Sequence, residues 1–147
     1  MKFLSTSSSN YSAMIVRITL GLVILPHGLQ KLLGMFGNGF SGTMEYFTTG
    51  ASLPWIIALL VILGESLGAL ALVLGFISRF MAFGIFVIMT AMFMAHIKYG
   101  FFIDWFGAQE QGVEFHLLTI GMALSLMISG GAYSLDGLLT KCFAKKK

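Results

Sequence analysis

Residues 54–77, PWIIALLVILGESLGALALVLGFI, run for 24 positions with a single ionisable side chain, Glu65, near their middle. At ~1.5 Å of rise per residue, a helix of that length crosses the ~30 Å hydrocarbon core of a bilayer. The stretch lacks the polar–apolar alternation of a membrane barrel strand, so it reads as a transmembrane helix. Further apolar blocks cover about 12–34, 80–100 and 113–135. The 147-residue chain is 57% hydrophobic and 10% charged, with a mean hydropathy of +0.90. That balance excludes an ordinary water-soluble domain. The expected fold is an all-α integral membrane four-helix bundle.

Three regions follow: an N-terminal segment at 1–11, the four-span domain at 12–135 and a basic tail at 136–147. The first block carries Arg17, His27 and Lys31 and is longer than an export-signal core, so it counts as a span. Four spans put both termini and the Ser78/Arg79 turn on one side. That side collects Lys2, Arg79, Lys141, Lys145, Lys146 and Lys147. The other side has Lys31 and Lys98 beside Glu45, Asp104, Glu110 and Glu114. The positive-inside rule then places both termini in the cytoplasm. The net charge of +3 is concentrated in the tail KCFAKKK, which suits an anionic lipid surface and not nucleic acid. Cys142, the one cysteine, excludes an intramolecular disulfide.

Depth assigns the ionisable residues. With span midpoints at the bilayer centre, Glu65 is central, while His27 and Lys31 lie about 6 and about 12 Å outward. His96 and His116 also fall in the outer half. Arg17, His27 and Lys31 share one sector of the first helix, and the Glu65 face carries Ala58, Gly68 and Ala69. Small residues around an acid mark a face where another helix comes close. A mid-bilayer carboxylate is costly unless paired or protonated. Glu65 is therefore expected to meet Lys31, Arg17 or a histidine, or to hold a proton, in a polar site opening outward. Snorkelling to the headgroups is the alternative for Lys31, Lys98 and Arg17. Gly121, Ser125 and Ser129, spaced four apart, read as a helix-contact stripe.

The segments RITLGLVILPHGLQKLLG (17–34), GESLGALALVLGFISR (64–79), His96 and GVEFHLLTIGMALSLMISGGAYSLDGLL (112–139) together resemble the DoxX family of small four-helix membrane proteins. The most specific pieces are Arg17, Gly21, Gly28 and Lys31; the Glu65, Gly75, Arg79 spacing; and Gly130, Ser134, Leu135 and Asp136. The resemblance implies a multi-pass protein of the bacterial inner membrane linked to quinone or oxidative-stress metabolism.

The expected function is a membrane component of a quinone-linked oxidoreductase or oxidative-stress redox system. Glu65, His27, Lys31 and His96 are the expected proton relay and quinone contacts, with His116 and Arg17 as binding residues. The chain has no Gly-rich nucleotide turn and no cysteine set for an iron–sulfur cluster. Electrons would come from a partner oxidoreductase subunit, the substrate or a haem. A haem held by His96 and His116 is the less favoured cofactor, and no metal site is expected. The alternatives are a non-catalytic anchor or assembly subunit, and a small transporter acting as a homo-oligomer.

Overall fold

Asn10 caps the first helix: its side-chain oxygen accepts the Ala13 amide at 3.0 Å. The computed structural model describes residues 10–34, 37–102 and 112–144. Helix α1 runs Tyr11–Leu33 and stops at Gly34, whose φ of 73° is left-handed. A short α2, Gly39–Glu45, continues through a π-helical turn, Tyr46–Gly50. Helix α3 covers Trp55–Leu74 and contains a second π-helical turn at Gly64–Gly68, the GESLG segment. Helix α4, Ser78–His96, tightens into a 3₁₀ turn at Ile97–Tyr99. Helices α5, Glu114–Ile128, and α6, Leu135–Ala144, follow. The described residues include no strand. Lys2, Asp104, Trp105, Glu110 and Lys145 to Lys147 lie outside the described residues.

Helix α1 packs against α3 and α5, and α4 packs against the same two. The four long helices thus form a ring of antiparallel neighbours. Its interior holds Leu20 and Ile24 of α1, Ala69 and Leu72 of α3, Ala82 and Ile85 of α4, and Ala123 and Leu126 of α5. The fully buried alanines let the backbones approach, as membrane bundles require. Ile15, Leu22, Trp55, Leu60, Leu67, Phe80 and Leu118 point outward, giving the apolar exterior of a bundle in lipid. Met44 and Phe47 close the end away from the termini by packing on Ala58 and Ile62.

Helices α1, α3 and Ser78–Tyr99 are long and apolar enough to span. Helix α5 is shorter, 15 residues or about 22 Å, and this corrects the expectation of a helix through 135. The chain leaves helical geometry at Ser129 (φ −142°, ψ 120°) and passes Gly131 at φ 82° and Tyr133 at φ 45°. Non-helical backbone survives at membrane depth only where protein satisfies it. Arg17 does so here. Its guanidinium, 1% exposed, donates to the carbonyls of Gly130 (3.2 Å), Ala132 (3.3 Å) and Tyr133 (3.0 Å).

The α3–α4 turn is tied to the same segment. Asp136, buried at the start of α6, accepts from the amides of Ile77 (2.7 Å) and Ser78 (2.9 Å) and from the Ser78 hydroxyl (3.0 Å). It caps α4 from a distant part of the chain, and it holds Ile77 at a left-handed φ of 42° that a β-branched residue rarely adopts. Gly75, at φ 72°, has no room for a side chain: a Cβ would lie 2.3 Å from Arg17 Nη1 and 2.5 Å from Ser134 Cβ. Arg17, Gly75, Ser134 and Asp136 thus form one lock at the termini end.

Candidate functional site

At the far end, α1 and α3 touch backbone to backbone. A Cβ on Gly28 would lie 2.1 Å from the Glu65 carbonyl oxygen and 2.4 Å from the Ser66 nitrogen. Glu65 is therefore level with Gly28 and not with Leu22, the middle of α1, so it lies about 9 Å further out than that midpoint. The expected depth shifts because the two helices are staggered. Glu65 belongs to the π-helical turn Gly64–Gly68, a feature that re-phases helix faces and is frequent at functional sites. The Ser66 hydroxyl donates to the Ile62 carbonyl at 2.6 Å.

Cα–Cβ bonds tilt toward the N-terminus of their own helix. In antiparallel α1 and α3, the Lys31 stem therefore leans toward the termini end and Glu65 leans the opposite way. They meet as an ion pair, Lys31 Nζ to Glu65 Oε2. Of the partners expected for Glu65, the structure selects Lys31. The pair is asymmetric, with side-chain exposures of 24% for Lys31 and 3% for Glu65. Lys31 opens into a cleft of about 380 Å³ bounded by Gln30, Asn38, Thr43, Tyr46 and Phe47, within the ~300–1,000 Å³ of small-molecule sites. Amides, a hydroxyl and aromatic rings surround the ammonium, while the carboxylate stands behind it. A larger groove, about 520 Å³, lies between α1 and α5 and is lined by Val16, Leu117, Leu118, Gly121, Met122 and Ser125, with Glu114 beside them. It faces outward and offers little polar chemistry. The Gly121 and Ser125 stripe faces this groove, not the bundle interior.

None of the histidines lines the polar cleft. His96 and His116 stack on each other between α4 and α5, centroids 5.2 Å apart and planes 15° from parallel. His96 Nδ1 is 2.8 Å from the Met92 carbonyl, which makes it the donor of that bond. His27 is exposed on α1 and leans on Phe115 at 6.1 Å. A haem iron takes two axial imidazoles edge-on from opposite faces of the macrocycle. Parallel rings facing each other do not fit that arrangement, so His96 and His116 are not a haem site in this geometry. Among the described residues, no group of three or more His, Cys, Asp or Glu side chains converges as a metal site. Arg17 also stands apart, spent on the carbonyls at the termini end. The expected single constellation is thus three: the Lys31–Glu65 cleft, the histidine stack and the Arg17 lock.

A family model described as DoxX matches residues 12–97. The chain belongs to the DoxX family. The inner membrane protein YphA of Escherichia coli (strain K12) is 30% identical over 126 residues, 84% of this chain and 86% of that one. No solved structure matches. This DoxX protein is accordingly a multi-pass inner-membrane protein. Arg17, His27, Lys31, Glu65 and His96 lie inside the segment that matches the DoxX model, while His116 and Asp136 lie beyond it. Two features of this DoxX chain were not legible as functional from residue types. The π-helical turn left only the Gly64/Gly68 spacing as a trace, and the capping role of Asp136 depends on a contact across 58 residues.

Proposed function

We propose that this DoxX protein is the membrane component of a quinone-linked redox system, and that the quinone headgroup occupies the cleft beside Lys31. The observation that carries this reading is the ion pair itself: a buried carboxylate held behind a partly exposed ammonium, at the wall of a cleft with aromatic and amide sides. An ammonium suits a quinone oxygen that gains negative charge on reduction, and a carboxylate one layer deeper suits a proton store. Tyr46 and Phe47 supply ring faces against which a flat headgroup stacks. Electrons come from a partner oxidoreductase or from the substrate. His27, one helical turn from Lys31 on the same side of α1, is the nearest of the histidines along the chain.

The test is equilibrium binding of a short-chain benzoquinone to the protein in nanodiscs. Tyr46→Ala should weaken binding roughly five- to tenfold, and His96→Ala, outside the cleft, should leave it unchanged. Equal affinity of wild type and Tyr46→Ala removes the reading. A second reading treats the pair as a clamp in a non-catalytic assembly subunit, and the Gly28–Glu65 backbone contact favours it. Under that reading, Glu65→Gln lowers the melting temperature, and wild type shows no quinone binding.

The same proposal places both termini in the cytoplasm, and Cys142 gives the means to check. It is exposed on α6 and is the one cysteine. A membrane-impermeant maleimide should label it in inverted vesicles and leave it unlabelled in intact spheroplasts. The opposite pattern reverses the topology and puts the Lys31 cleft on the cytoplasmic side.

A further inference from the structure

Resting on the reading of the cleft as a ligand site, we infer that it selects headgroups that carry a negative charge, and that each anion bound brings one proton to Glu65. Lys31 reaches the cleft on a flexible four-carbon stem and can turn toward a ligand, whereas Glu65 is 3% exposed and its backbone is packed on Gly28 of α1. A neutral ligand gives Lys31 little reason to leave the carboxylate. An anion competes for it directly.

Once Lys31 turns away, the described residues around Glu65 offer it no substitute cation. From α1 the neighbour is Gly28, while His27 beside it is exposed and turned to Phe115 of α5; from α4, Ile88 meets Gly64 and Met81 meets Gly68. The Ser66 hydroxyl is committed to the Ile62 carbonyl. Tyr46 lines the cleft from the α2 turn, beside the exposed Glu45, which is itself an acid. Arg17 is held at the opposite end by three carbonyls. An uncompensated charge in so dry a place is strongly unfavourable, and a proton removes it.

The charges then balance. Before binding, the site holds one ammonium and one carboxylate. Afterwards it holds the ammonium, the bound anion and a neutral carboxylic acid. Net charge is zero in both states, with one anion and one proton taken up together. The favoured ligand class is an acidic hydroxyquinone that is ionised near neutral pH.

Three probes test this: lawsone, an acidic hydroxynaphthoquinone; its neutral methyl ether; and naphthoate, an anion of similar size that is not a quinone. Binding is measured in weakly buffered nanodiscs containing a pH indicator. Wild type should bind lawsone about tenfold tighter than the ether and take up close to one proton per lawsone. Glu65→Gln removes the internal competitor, so it should bind lawsone more tightly than wild type with no proton uptake. Lys31→Met should bind lawsone and the ether alike. Equal affinity of wild type for lawsone and ether overturns the inference, as does lawsone binding without proton uptake. Proton-coupled binding of naphthoate, with neither quinone bound, keeps the inference and removes the quinone reading. No binding of any probe removes both.

Discussion

Arg17→Met is expected to lower the unfolding free energy by about 3 kcal/mol or more, because it strips hydrogen-bond partners from the buried carbonyls of Gly130 and Ala132, each a loss of about 1–3 kcal/mol, and from the part-buried carbonyl of Tyr133. The carbonyls of Gly130, Ala132 and Tyr133 belong to a non-helical stretch and cannot turn to an intrahelical amide instead. Lipid offers them nothing. Methionine keeps much of the side-chain volume, so the loss reports the hydrogen bonds more than a cavity. Arg17→Lys should fall between the two, since an ammonium at one point cannot serve three acceptors that a planar fork reaches. Thermal unfolding in detergent, read by size-exclusion recovery, gives the comparison. A wild-type melting curve for Arg17→Met would mean that the 129–134 segment is held in some other way.

Gly28→Val should be comparably damaging for a steric reason. A Cβ at that position would stand 2.1 Å from the Glu65 carbonyl oxygen, and both contacting partners are backbone with no rotamer to yield. The helices must separate. Overpacking alone costs ~1–3 kcal/mol, and the separation also weakens the Lys31–Glu65 pair, whose rupture leaves a buried charge worth ~3–5 kcal/mol. These terms overlap, so an overall loss of about 3 kcal/mol or more is expected. Gly84→Ala is the control. A Cβ on Gly84 meets nothing within 4 Å, so that variant should stay within about 1 kcal/mol of wild type. Similar melting of the two variants would show that α1 and α3 are not in backbone contact at Gly28.

Arg17 and Gly28 lie at opposite ends of the bundle, so variants at the two positions separate stability from ligand chemistry. Arg17 acts at the termini end and should leave cleft specificity intact in any protein that folds. Gly28 acts beside the cleft and should alter both.

Composition and block length alone determined that this chain is a helical membrane bundle. The reason is that hydrocarbon imposes one rule on every residue: backbone groups must bond within the segment, and side chains must be apolar unless they have a partner. A violation such as Glu65 is therefore conspicuous in the sequence, and its need for a partner follows from the cost of a bare charge. Which partner it takes does not follow. Lys31, Arg17 and three histidines were all suitable by charge and depth, and the choice among them turned on helix stagger, the π-helical turn and the Gly28 contact. Depth is one coordinate read along a helix. Whether His96 faces His116 or Glu65, and whether the chain unwinds at Ser129 so that Arg17 can serve its carbonyls, depends on rotation and register between helices. Those are set by side chains meeting across the bundle, and only the tertiary structure brings them together.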